Sequence, residues 1–358
     1  MIARPVCDVT GSARLRWYFR RALSQVLSRA LSRALPQGLF QALPLASAQA
    51  LCWRGSCGLP LTITVLLAGC TWPPTALNPV AAIEIRTAAG NVTTREQALA
   101  ALRQADVLLL GEVHDNPLHH RERADLLTAL ADRRPTVVFE QFPRSAAEAL
   151  AAPVGGEPEV WLDRAGFDRK GWAWPLHRPL IDAALAAGLR LRGGNLGRDE
   201  ARQIARQGAS AAPADLREAL AQPLPPAAVT VLDRALLDGH CGQLPAAAVP
   251  RMREAQTARD AAMADALLRA LADGATSAVL IAGNGHVRRD HGVPLWLARR
   301  APAVKLLSVG FLEREADGSP PPVAERGVYD FVWLTARQLR PDPCAGFSLS
   351  PRSAPTPP

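Results

Sequence analysis

Short apolar runs, each closed by a glycine or an acid, alternate along the chain with longer segments whose apolar residues recur at helical spacing. Asp106-Val-Leu-Leu-Leu110 is such a run and ends at Gly111; Pro117 then opens an amphipathic segment through Leu130, and Thr136-Val-Val-Phe139 repeats the apolar run. Together these predict a β-α-β unit. A further helix closes over Ala184 to Gly188, ahead of Leu189-Arg-Leu191, and Val249 to Ala272 predicts one long Ala-rich helix stopped by Gly274. Ser277 to Ile281 and Val304 to Val309 predict two more buried strands, with a short helix from Pro294 to Arg300 between them, and Val328 to Leu334 predicts an edge strand. Strands that are apolar at every position lie in a sheet covered on both faces. The expectation is an α/β fold, a mostly parallel sheet flanked by helices. From about 199 to 250 the rhythm changes to helical stretches broken by Pro213, Pro223, Pro225 and Pro226, with no strand, which predicts a helical insertion forming a lobe or lid.

Charge changes the picture only by its position. The 358 residues carry 41 Lys+Arg against 33 Asp+Glu, but eight of the Arg and a single acid, Asp8, fall in residues 1–69. The rest is close to neutral, so a nucleic-acid partner is not expected. No run of eighteen apolar residues occurs, which excludes a multi-span membrane protein. Leu59 to Ala68 is a short apolar run behind Arg54, closed by Leu67-Ala-Gly-Cys70. That layout resembles a bacterial lipobox, in which Cys70 is cut free and acylated, and Pro73, Pro74 and Pro79 then read as a tether over 70–82. The Arg-rich stretch upstream reads either as a long leader or as a start assigned too early. The expected organisation is a leader at 1–69, a working domain at 83–340 and a disordered tail at 341–358. Cys7, Cys52 and Cys57 leave with the leader, so Cys241 and Cys344 are expected to form one bridge in an exported protein.

In open α/β sheets ligands gather beyond the carboxyl ends of the strands. Three such ends carry chemistry: Gly111-Glu112-Val113-His114-Asp115-Asn116, Glu140-Gln141, and Gly283-Asn284-Gly285-His286. If the strands are neighbours, Glu112, His114, Glu140 and His286 share a pocket suited to acid–base work, and His114, Glu140 and His286 to a divalent metal. On the long helix Gln256, Asp260 and Met263 share a face, so Gln256 and Asp260, with Asn284, are expected to support an imidazole there; an ordinary solvated face is the alternative. Trp172-Ala-Trp174-Pro-Leu-His177-Arg178 offers flat indoles, an imidazole and a guanidinium. Trp174, His177 and Arg178 are candidate cofactor contacts, with a helix-capping role for His177 as the alternative. His119 and His120 read as solvated, His291 as a surface residue or a partner of His286, and Tyr329 as a packing residue. Dinucleotide-fold, P-loop, H-E-x-x-H and G-x-S-x-G patterns are all missing.

These ordered motifs, with Phe139-Glu140-Gln141, Ala255-Gln256, Arg259-Asp260 followed by Met263-Ala264, and Gly292-Val-Pro294, resemble the ChaN-type haem-binding lipoproteins over roughly 83–340. The group's superfamily also holds the Tiki metalloproteases and erythromycin-esterase-like hydrolases. The resemblance implies an α/β fold, haem as cofactor, and an exported, lipid-anchored protein of the bacterial envelope, of the outer membrane by lipoprotein analogy, with a role in iron uptake and a homodimer as a candidate assembly. It implies equally a second reading, a metal-dependent or esterase-like hydrolase built on Glu112, His114, Glu140 and His286.

Overall fold

The computed structural model describes residues 83–155, 157–325 and 327–347. The expected leader, Cys70 and the tether lie outside the described residues. The chain runs β1 (Glu84–Thr87), β2 (Val92–Thr93), α1 (Arg95–Leu102), β3 (Val107–Leu110), α2 (Pro117–Ala129), β4 (Thr136–Pro143), α3 (Ala147–Ala151), α4 (Pro158–Arg164) and α5 (Arg178–Ala186). It continues through β5 (Leu191–Asn195), α6 (Arg198–Gln207), α7 (Ala214–Ala221), α8 (Pro226–Gly239), α9 (Val249–Ala272), β6 (Ala278–Ile281), α10 (Val293–Arg300), β7 (Leu306–Glu313) and β8 (Phe331–Thr335).

The eight strands form one sheet in the order β2-β1-β8-β7-β3-β6-β4-β5. From β8 to β5 every pairing is parallel; the β1–β2 hairpin adds to β8 antiparallel. The fold is therefore the mostly parallel α/β sheet expected. One strand position differs: the run ending at Leu334 is not an edge, because β1 pairs along its outer side. β1 and β2 are short and only partly buried, so they leave no apolar run to read.

Alternation along β3 divides the core. Val107 and Leu109 face a layer built from α6, α7, α9 and α10, while Leu108 and Leu110 face one built from α1 to α5. Each of these leucines is at most 3% exposed, which stabilises by about 1.5–3 kcal/mol per side chain and makes β3 a firm base for the turn that follows. The alanine face of α9 lets that helix lie close on the sheet: Ala258, Ala261, Ala264 and Ala270 are all buried. β5 starts later than its apolar run, at Leu191, and passes through Gly193 and Gly194. A Cβ at Gly193 would fall 2.0 Å from the Pro143 carbonyl oxygen, so the close approach of β4 to β5, not strand propensity, fixes glycine there.

Helices α6 to α8 occupy the stretch read as an insertion. A disulfide joins Cys241, just beyond α8, to Cys344, with Cα atoms 5.5 Å apart across 103 residues of sequence. The Gln243 side-chain amide donates to the Phe347 carbonyl at 2.6 Å, so the described part of the C-terminal tail follows the bridge.

Candidate functional site

β3, β6 and β4 are neighbours and run in parallel, with Leu110 opposite Ile281 and Phe139 opposite Ile281. Their carboxyl ends thus deliver Glu112, Glu140 and the 283–286 turn to one rim. The Asn284 backbone N–H donates to the Glu112 carbonyl at 2.9 Å and stitches two of these turns together. The Asn284 side chain does not support His286. It donates to the Phe311 carbonyl at 2.6 Å and accepts the Phe311 N–H at 3.1 Å, clamping the turn to β7.

The first cluster centres on Glu112, whose side chain is fully buried. Arg123, projecting from α2, pairs with Oε2, and His120 Nδ1 lies 3.1 Å from the same oxygen. Oε1 accepts Nδ1–H of His114 at 2.7 Å and the Gln141 side-chain amide at 3.2 Å. His120 accepts from Arg123 at Nδ1 (3.0 Å) and donates Nε2–H to the His114 carbonyl (2.9 Å), the pattern of a neutral ring. Burial, reinforced by His177 alongside, holds it down at about 3. His177 is also buried and held at about 3, by burial and then by the Arg123 charge. Its ring lies between the Trp172 carbonyl (3.1 Å) and Glu112 Oε1 (3.3 Å), two acceptors for the single N–H of a neutral imidazole.

The second cluster is a file of three charged groups. The Gly283 N–H donates to Glu140 Oε2 at 2.7 Å, and Oε1 lies 3.3 Å from His286 Nε2. His286 Nδ1 meets Asp260 Oδ1 at 2.6 Å, while Gln256, one turn earlier on α9, brings its amide to 3.2 Å from Nε2. Burial opposes a charge on His286, but the carboxylates on either side prevail and lift it to about 10. Burial pushes Asp260 up to about 6 against the pull of His286. Glu140 is held well below the usual carboxylate range: burial acts to raise it, and His286, His114 and the Gly283 amide outweigh that.

The two clusters touch through Gly283. A Cβ there would sit 2.7 Å from His114 Nε2, so glycine lets the His114 ring lie across the turn. His114 is also the exposed imidazole of the rim, with 47% of its side chain accessible, and its ring meets the Trp172 indole edge-on at 5.0 Å. Beside it opens a cleft of about 230 Å³ bordered by Glu140, Gln141, Trp172, Asn195, Arg198 and Arg259.

Glu112, His114, Glu140, His286, Gln256 and Asp260 therefore meet at one rim. Trp174, His177 and Arg178 do not form a shared slot. Trp174 donates its indole N–H to Glu159 at 3.0 Å, Arg178 pairs with Asp182 on the exposed face of α5, and His177 is 1% exposed beneath His114. His177 stands at the N-cap position of α5 without capping it by its side chain. His119 and His120 are buried, not solvated, because they point from α2 into the layer under the rim. His291 is buried too, and among the described residues neither ring nitrogen has a hydrogen-bond partner; burial and then Arg288 hold it at about 4. Tyr329 is buried, its ring against Gly310. The metal trio expected from sequence is divided, since both His286 nitrogens are engaged with Asp260 and Glu140. Among the described residues the set at ligand spacing is Glu112, His114 and His177, whose donor atoms lie within 4.8 Å of one another. Arg123 was missed in the sequence, although His120, Arg123 and Leu127 share one helical face with the core leucines, and an arginine on that stripe signals a buried carboxylate.

No curated protein matches this chain. Among solved structures it is similar to ChaN of Campylobacter jejuni, described with cofacial haem binding: 20% identity, 71% of this chain and 97% of that chain covered, TM-score 0.57. It is more distantly similar to the type III effector HopBA1 (15% identity, 73% and 100% covered, TM-score 0.38) and to an erythromycin esterase EreC mutant in its open conformation (15% identity, 72% and 84% covered, TM-score 0.36). The ChaN structure shares the fold. Residues 98–297, which run from α1 through all three rim turns to α10, match the family described as haem-binding uptake, Tiki superfamily, ChaN. With more than half of the sequence inside that match, and every motif of the rim with it, the chain belongs to the ChaN family of haem-binding uptake proteins in the Tiki superfamily.

Proposed function

We propose that this protein binds haem across the carboxyl rim of its sheet and serves haem capture or hand-over in iron uptake, held at the bacterial envelope, on the outer membrane, by a lipid on Cys70. The observation that carries the haem reading is His114. Its Nδ1–H is fixed by buried Glu112, which orients the ring as a carboxylate does for a metal-bound imidazole. The ring is accessible and has an indole at its side. A cleft of about 230 Å³ does not enclose a macrocycle, since sites that bury a ligand of drug size run from roughly 300 to 1,000 Å³. These residues would hold a flat ligand over an open rim, His114 offering its imidazole to the iron and Trp172 packing beside it. Haem supplies the redox-active iron; this chain's own residues orient one imidazole and present a flat apolar wall.

Titration of the protein with hemin is expected to shift the Soret band to stoichiometric saturation, and His114→Ala to remove the shift. No shift at micromolar protein overturns the reading. The envelope address rests on the Leu67-Ala-Gly-Cys70 sequence; incorporation of labelled fatty acid, lost in Cys70→Ser, tests it.

A second reading, hydrolysis, rests on the Asp260–His286–Glu140 file and on the ligand spacing of Glu112, His114 and His177. One carboxylate or imidazole of Glu112, His114, Glu140 and His286 would activate water, and the rest would hold a metal or polarise a carbonyl. Against the metal version stands Arg123, whose buried guanidinium already neutralises Glu112. Metal content of protein purified without chelators, and turnover of an ester and peptide panel by wild type and His286→Ala, decide it. Equal metal content and equal turnover in the two proteins reject hydrolysis.

A further inference from the structure

Arg259, on α9, lines the cleft beside the rim and, among the described residues, has no carboxylate of its own. Nη1 donates to Asn195 Oδ1 at 3.1 Å, a neutral partner. Asn195 is itself held, its Nδ2 donating to the Glu140 carbonyl at 3.1 Å. The carboxylates nearby are committed elsewhere: Glu140 to the Gly283 amide and His286, Asp260 to His286, and Asp168 to Arg198 and the Gly171 N–H. Among the described residues no carboxylate comes within ion-pair distance of the Arg259 guanidinium, and neither Nε nor Nη2 has a hydrogen-bond acceptor. Nε and Nη2 are not among the buried atoms that lack a partner, so this unused edge of the fork stays accessible from the cleft and is open to an anion. Arg123 shows how the same molecule treats an arginine with a purely structural role, since that residue is fully buried and paired with Glu112. Arg259 instead lines a cleft open to solvent, with Trp172 on its wall and Arg198 at its mouth.

We propose that this cleft receives the carboxylate of an organic ligand, with the free edge of the Arg259 guanidinium as the anion anchor and Trp172 as the flat wall for the carbon skeleton. The carboxylate has two possible sources. It is a propionate of the haem, which rests on the haem-binding reading above, or it belongs to a small carboxylic acid, which does not. The volume of about 230 Å³ admits either a small acid or one arm of a larger ligand.

Two pairs of probes separate the sources. Hemin is compared with hemin dimethyl ester, which keeps the macrocycle and lacks the carboxylates; benzoate is compared with benzamide, its neutral counterpart. Each is titrated against wild type, Arg259→Gln and Arg259→Lys, by absorbance for the haems and by calorimetry for the small molecules, with circular dichroism melts to establish that the variants are folded. The expected result is that Arg259→Gln weakens binding of at least one carboxylate probe by on the order of tenfold or more. Its neutral partner is unaffected, and Arg259→Lys recovers part of the loss. Dependence confined to hemin assigns the cleft to a propionate; dependence of benzoate assigns it to a small acid. If neither hemin nor benzoate binds more weakly to folded Arg259→Gln than to wild type, or if the ester and the amide bind as well as the acids, the inference is overturned. Failure of wild type to bind hemin at all removes the haem-binding reading alone, and the benzoate arm then decides the cleft.

Discussion

The two clusters at the rim contain the same residue types and lie against each other, yet they hold opposite charge states. Around Glu112 the counter-charge is Arg123, so His120 and His177 remain neutral, held at about 3 by burial. Around Glu140, among the described residues, no arginine comes within ion-pair distance; His286 is the cation, wedged between Glu140 and Asp260 and lifted to about 10. A buried carboxylate must be neutralised by something. Where an arginine does it, the imidazoles of His120 and His177 are left as neutral hydrogen-bonding groups. Where an imidazole does it, that ring holds its proton well above neutrality. The identity of the partner, not of the carboxylate, separates an orienting cluster from a proton-holding one.

The largest way to break this comparison is Arg123→Met. It leaves Glu112 buried without a cation, and a loss of about 3–5 kcal/mol is expected in urea unfolding, the range for breaking a buried pair. The double variant Arg123→Met with Glu112→Gln is expected to lose less than the sum of the single variants, because the uncompensated charge is gone. Additive losses contradict the pairing.

The next test sharpens the comparison through pH. His120 and His177 have folded values near 3, below the ordinary 6.5, so the unfolded chain binds more protons and their contribution is lost as pH falls from about 6.5 toward 3. His286 has a folded value near 10, above 6.5, so its contribution is complete below about 6.5 and is lost as pH rises through about 10. Urea midpoints at a series of pH values are therefore expected to fall on both sides. His286→Gln is expected to flatten the alkaline limb and His120→Gln to reduce the acid one. An alkaline limb unchanged in His286→Gln shows that His286 does not carry the charge. The smallest effect is on His114, which is half-exposed: His114→Ala is expected to cost about 1.5 kcal/mol of stability, because buried Glu112 loses one hydrogen bond, while abolishing the hemin shift. A large loss of stability makes that ring structural.

Legibility followed the physics of each feature. The strand ends were readable because strands buried on both faces are apolar at every position, so the first polar residue after each run marks the rim; Glu112, Glu140 and the 283–286 turn were found this way. Asp260 was readable as an acid on a helical face that needed a partner. The indole and imidazole segment at 172–178 was misleading, because nearness in sequence on an irregular stretch says little about direction: Trp172 faces the cleft, Trp174 and Arg178 turn away, and His177 is buried. β1 and β2 carry too little buried surface to signal at all.

By itself, then, the sequence determined the β-α-β rhythm, the helical stretch between β5 and β6, and the three strand ends that carry carboxylates and imidazoles, because each follows from local periodicity or from the apolar length of one segment. Only the tertiary structure decided that β6 lies between β3 and β4, which imidazole is charged, which is exposed, and that among the described residues Arg259 stands without a counter-ion. Those outcomes depend on partners brought from α2 and α9 and on how much water each group loses, and neither quantity is encoded in any single stretch of chain.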